Sequence, residues 1–186
     1  MSSRMTPSAA TDEQAPRWLD DRERQTWLAF TLATRLFWEE IERDLQRDAQ
    51  LPFGYYQILV MLSGAPDRTL RMSELAQATH SSPSRLSHAV ARLEAQGWIR
   101  RDDYPTDRRA AFAVLTDKGF AALTAATPSH VESVRQHLFD QLTHRQQDAL
   151  REICDQLLAH LGASRHRPAA TPDAHTPRPS TRHTTG

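Results

Sequence analysis

Cysteine is nearly absent: Cys154 is the single one in 186 residues, which excludes a disulfide within the chain and a cysteine-built zinc site and fits a reducing compartment. Net charge is absent as well, since 23 Lys and Arg balance 23 Asp and Glu. A uniformly basic nucleic-acid binder is thereby excluded, and only local placement of charge can point to an anionic partner. No apolar run approaches the length of a membrane span. The first twenty residues carry Asp12, Glu13, Pro16, Asp20 and Asp21 where a secretory leader needs an apolar core, so a soluble intracellular protein without a membrane partner is expected.

Catalytic signatures are missing too. There is no glycine-rich phosphate loop, no His-Glu-x-x-His and no Gly-x-Ser-x-Gly, the patterns that would supply a phosphate cradle, a zinc pair or an elbow nucleophile. His130, His137 and His144 are evenly spaced, but Arg135 and Arg145 lie beside them and no carboxylate or cysteine completes a ligand set. Solvated histidines are expected, with no metal, no cofactor and no enzymatic activity.

What is present reads as mainly α with a small β-wing between two tails. Residues 1–19 and 162–186 mix Ser, Thr, Pro, His and Arg with little to bury and are expected to be disordered. In the first third, Trp27, Phe30, Leu36 or Phe37, Ile41 and Leu45 recur at helical spacing. Near the other end, Val131, Val134, Leu138 and Leu142, then Leu150, Ile153, Leu157, Leu158 and Leu161, predict two helices broken near Thr143. These terminal helices, at about 20–48 and within 117–161, carry more apolar surface than a small centre can cover. Packing against a second subunit accounts for it, and a monomeric helical bundle is the alternative.

The centre, about 53–116, carries the functional signal. Phe53 to Leu62 predicts a helix stopped by Gly64-Ala65-Pro66-Asp67, and Met72 to Thr79 a short one capped by Ser73. His80-Ser81-Ser82-Pro83 restarts the chain, with Ser82 as N-cap and Pro83 in the first helical position, and Gly97 stops the helix begun there. On that helix Leu86, Ala89, Val90 and Leu93 share one arc, while Ser84, Arg85, His88, Arg92 and Ala95 lie opposite, free of carboxylates. Arginine can read guanine with two parallel hydrogen bonds, and hydroxyls such as those of Ser82, Ser84 and Ser87 can meet bases or phosphates. An ordinary solvated face is the other reading of this side.

Two short strands, Trp98 to Arg101 and Ala111 to Leu115, then predict a hairpin whose tip holds Asp107-Arg108-Arg109. An arginine there can enter a narrow minor groove while a neighbouring aspartate orients a guanidinium, which assigns Arg109 to the groove and Asp107 to orientation. Charge agrees in sign. From residue 71 to 109 there are seven arginines (71, 85, 92, 100, 101, 108, 109) against five acids (Glu74, Glu94, Asp102, Asp103, Asp107).

These residues resemble a family. The Ser-Arg-Leu-Ser helix, Arg92-Leu93-Glu94, Gly97, Arg101, Asp107-Arg108-Arg109 and Leu115-Thr116-Asp117-Lys118-Gly119 look like the MarR family of bacterial transcription regulators, and Pro128 to Thr143 is similar to its actinobacterial members. The resemblance covers roughly residues 24–161. It implies a cytoplasmic, nucleoid-associated homodimer of winged helix-turn-helix subunits, joined through the first and last helices. Its partner would be double-stranded DNA, a pseudo-palindromic operator read in successive major grooves about 34–36 Å apart. It also implies repression and release by a small aromatic or phenolic effector, for which Phe30, Phe37, Trp38, Phe53, Tyr55 and Tyr56 would line the site, although such a stripe also suits ordinary core. Cys154 lies on or near the last apolar stripe and is expected to be buried and inert. A winged-helix module for protein contact, without operator recognition, is the alternative function.

Overall fold

In the computed structural model, residues 16–103 and 111–162 are described, and expectations placed on residues 1–15, 104–110 and 163–186 lie outside them. The chain forms two bodies, residues 1–36 and 37–186. Helix α1 (Asp21–Ala49) belongs to both, passing from one to the other after Leu36. In the N-terminal body no described residue is buried, and Trp18, Leu19, Trp27, Leu28, Phe30, Leu32 and Leu36 are all exposed.

The second body holds the core. After α1 come α2 (Phe53–Ser63), β1 (Thr69–Arg71), α3 (Met72–Ala78), α4 (Pro83–Ala95), β2 (Ile99–Asp103), β3 (Ala111–Leu115), α5 (Asp117–His137) and α6 (His144–His160). Short 3-10 turns precede β1 and α6. Leu45, Leu59, Leu62, Leu75, Leu86, Val90, Leu93 and Ile99 are essentially inaccessible, so α1, α2, α3, α4 and the sheet share one apolar interior. The sheet is antiparallel in the order β1-β3-β2, with Leu70 and Arg101 both opposite Ala113. Along β3 the pleat puts Ala111, Ala113 and Leu115 on one face, of which Ala113 and Leu115 are buried and Ala111, at the start of the strand, is exposed.

Several expectations meet corrections here. Strand β1 is three residues long, too short to show alternation, and exists because β3 offers it an edge. Ser73 does not cap α3: Arg71 occupies the N-cap, and the Glu74 carboxylate accepts the Arg71 N–H at 3.2 Å. Helix α5 runs unbroken through Pro128, although a proline inside a helix removes one bond of its ladder. Its packing against α2 and α1 sustains it, burying Leu123 and Ala126 before the proline and Ser133 after it.

The histidines are not uniformly solvated. His137 Nε2 sits 2.9 Å from Asp44 Oδ2, and Ser133 Oγ donates to the same oxygen at 2.6 Å, tying α5 to α1. Despite burial, the Ser133 hydrogen bond, with help from His137 and Arg47, holds the Asp44 carboxyl below its ordinary range. His130 is half-buried with its ring 4.5 Å from that of Tyr56, its Nδ1 has no hydrogen-bond partner, and burial lowers its pKa. Only His144 of the three is exposed. Cys154, expected to be buried, is exposed on α6, because no residue of α6 is buried by this chain.

Candidate nucleic-acid interface

The turn between α3 and α4 sets the presentation of α4. His80 adopts φ 48°, the left-handed conformation that ends a helix, so that the Ser81 N–H reaches back to the Ala76 carbonyl at 2.9 Å. Ser82 then caps α4 as expected, its Oγ accepting the Arg85 N–H at 3.3 Å, with Pro83 in the first helical position. At the far end Gly97, at φ +72°, lets the Trp98 N–H close on the Leu93 carbonyl at 2.9 Å.

Helix α4 divides as its arcs predict. Leu86, Val90 and Leu93 are at most 1% exposed and Ala89 is half-buried, whereas Ser84, Arg85, Ser87, His88 and Arg92 are all exposed, as is the cap Ser82. Arg85, His88 and Arg92 are spaced to share one side of the helix. Among the described residues no acid pairs with Arg85 or Arg92. Ser73, Ala76, Gln77, His80, Ser81 and Pro83 line an open concavity between α3 and the start of α4.

The arginines at the wing root behave differently. Arg100 is bound in two-point fashion by Asp102, at 2.6 Å from each carboxylate oxygen, and that bonding holds the Asp102 carboxyl below its ordinary range. Arg101 donates to the Ser87 carbonyl at 2.8 Å and lies 3.4 Å from Glu94. Half of the small positive surplus counted along this segment falls on α4, where Arg85 and Arg92 outnumber Glu94, and the other half on Asp107-Arg108-Arg109. Asp107, Arg108 and Arg109 lie outside the described residues.

The Leu-Thr-Asp-Lys-Gly run is the joint that seats α4 and the wing on α5. Thr116 Oγ1 accepts the Gly119 N–H at 3.0 Å as N-cap of α5 and donates to the Gly97 carbonyl at 2.7 Å. Lys118 Nζ donates to the Gln96 carbonyl at 2.8 Å, a cation on the last turn of α4, where the helix dipole favours it. A Cβ at position 119 would fall 2.1 Å from the Trp98 carbonyl oxygen, so only glycine permits the approach. Asp117 pairs with Arg68, whose guanidinium lies 4.1 Å over the Phe120 ring.

The residues expected to receive an effector are placed unevenly. Trp38, Phe53 and Tyr56 form a ring chain that ends on His130, with centroids 4.9 Å apart for Trp38 and Phe53 and 6.5 Å for Phe53 and Tyr56. Phe37 packs edge-on against Trp38 at 5.1 Å, and Tyr55 is half-buried against the core. Phe30 is exposed in the N-terminal body. His130 escaped the sequence reading of this cluster, because its contact with Tyr56 is tertiary and no local spacing signals it.

A three-helix centre closed by a β-hairpin, with a capped and cation-bearing third helix, defines a winged helix-turn-helix. The model of the MarR family matches residues 49–110. Among solved structures the chain is similar to Sco3205, a MarR family transcriptional regulator from Streptomyces coelicolor crystallised with DNA. The identity is 46% over 84% of this chain and 98% of that one, with a TM-score of 0.76. It is also similar to AbsC, a MarR family regulator of the same organism, at 38% identity over 80% and 99% of the two chains and a TM-score of 0.73. The transcriptional repressor MprA of Escherichia coli is 30% identical over 57% of this chain, and the match spans only 60% of MprA. The chain belongs to the MarR family. That places it among DNA-binding transcription regulators and not among enzymes.

Proposed function

We propose that the protein acts as a homodimeric repressor that reads a pseudo-palindromic operator, with α4 in the major groove and the segment bearing Asp107, Arg108 and Arg109 in the minor groove. The observation that carries this reading is the outer side of α4, where Ser84, Arg85, Ser87, His88 and Arg92 are exposed and both arginines lack an acid partner among the described residues. Unpaired guanidinium groups beside small hydroxyls suit close contact with base edges and phosphates. That the similar Sco3205 forms a complex with DNA supports double-stranded DNA as the partner.

Dimerisation is supported by surfaces that the single chain leaves bare. Helix α6 has 17 residues and buries none, although Leu150, Ile153, Leu157 and Leu158 lie along it and Leu161 follows as its C-cap. The N-terminal body is equally apolar and unburied. Monomeric proteins rarely expose contiguous apolar area on this scale. We assign residues 20–161 to the regulator domain, with its first and last helices as the dimer contact and the remaining ends as tails, in a cytoplasmic protein. An aromatic or phenolic effector would act through Phe37, Trp38, Tyr55 and Tyr56, and ring-on-ring packing there means the rings must part to admit it.

Selection of bound fragments from genomic DNA tests the reading directly. A recovered fragment is expected to outcompete a random duplex of equal length at physiological salt, with Arg85→Ala or His88→Ala changing the preferred sequence and Arg109→Ala weakening binding without dissolving the dimer. Equal affinity of the wild-type protein for recovered and random DNA would leave the protein-contact alternative in its place.

A further inference from the structure

Arg101 lies at the start of the wing, on a lobe expected to face DNA, yet its guanidinium is turned onto α4. One nitrogen donates to the Ser87 carbonyl at 2.8 Å, and Nε lies 3.4 Å from Glu94 Oε2. The other Glu94 oxygen accepts the Arg101 backbone N–H at 3.3 Å. Ser87 and Glu94 are two helical turns apart, about 10 Å, so one side chain and one backbone group of β2 grip α4 along that length. A carbonyl has a second lone pair, so the Ser87 oxygen can accept this bond without losing its place in the helix.

Glu94 is the revealing member. An acid on a lobe that approaches phosphates opposes binding by simple charge, so its presence there calls for a compensating role. As a stability device the pair contributes little, since both side chains are more than a third exposed. As a positional device it contributes more, because β2 leads directly into residues 104–110, which carry Arg108 and Arg109. Two reading elements held at a set angle meet one ligand together without an added ordering cost.

We propose that Arg101 and Glu94 are positioning residues that lock β2 against α4, so that recognition helix and wing engage DNA as one rigid reader, with neither residue contacting the DNA itself. The inference rests on the operator reading above. It predicts a sign that charge alone reverses. For Glu94→Ala, removal of a negative charge would tighten binding to every duplex, whereas loss of the lock weakens binding to a genomically selected fragment while random DNA is bound equally or more tightly.

The test is fluorescence anisotropy of the full-length protein on a selected fragment and on a random duplex, with thermal melting by circular dichroism as the fold control. The expected loss of preference in Glu94→Ala is about tenfold, within the usual coupling of groups in one network, with the melting temperature nearly unchanged. Arg101→Lys, which keeps the charge but cannot span Ser87 and Glu94, is expected to lose the same preference, and the double variant no more than the larger single loss. Undiminished preference in Glu94→Ala or Arg101→Lys, or additive losses in the double variant, would overturn the lock alone. A wild-type protein without any preference overturns the operator reading and this inference with it.

Discussion

Helices α4 and α6 are alike in amphipathic design and opposite in outcome. α4 buries Leu86, Val90 and Leu93 inside its own chain and turns a polar side outward. α6 carries a stripe of comparable apolarity, Leu150 to Leu161, and buries none of it. The difference teaches that apolar periodicity reports a need for burial and not the identity of what does the burying. α4 is finished by its own chain, whereas α6 is left open by it.

The comparison breaks first at α6. Ile153→Glu with Leu157→Glu is expected to abolish dimerisation, halving the mass seen by light scattering while the helical signal of the lobe persists. An intact dimer would move the interface elsewhere. On the finished side, Gly119→Ala forces a methyl toward the Trp98 carbonyl and is expected to destabilise by about 2–3 kcal/mol in urea unfolding. A change below about 0.5 kcal/mol would mean that the joint yields freely.

Smaller effects sharpen it. Burial holds the His130 pKa below its ordinary 6.5, so as the pH falls through that value the unfolded chain takes up a proton that the folded one refuses. Stability is therefore complete above the ordinary value and declines as the pH falls below it, until the folded form also protonates. His130→Phe should flatten this slope in urea titrations at successive pH values, and an unchanged slope would assign it to other groups. Ser82→Ala should cost about 1 kcal/mol, the usual worth of an N-cap, and a thermal melt matching the wild type would show that Ser82 contributes nothing to the start of α4.

The parts legible in sequence are those governed by local rules. Ser82, Pro83 and Gly97 announce both ends of α4, and the arcs of that helix separate at 100° per residue. Long-range contacts are not legible in this way. Nothing near Asp44 foretells Ser133 and His137, eighty-nine and ninety-three residues away. Seven arginines against five acids conceal that, among the described residues, Arg100 and Arg101 are already engaged by acids while Arg85 and Arg92 are not. For Cys154 the miss was one of reference state, since the stripe beside it is not covered within one chain. Gly119 lies between these cases: the motif marked it, but only the Trp98 carbonyl explains it.

Helix α5 is held at both ends. Thr116 and Lys118 fasten its start to the end of α4, and Ser133 and His137 fasten its far part to α1. Between the two fastenings stands Pro128, which has no N–H to offer the Thr124 carbonyl, so the ladder lacks one rung there. A rod clamped at both ends flexes where its section is thinnest. In mechanical terms, the Asp44 end and the wing root are joined by one shaft whose ladder is a single bond short, set by one imino acid.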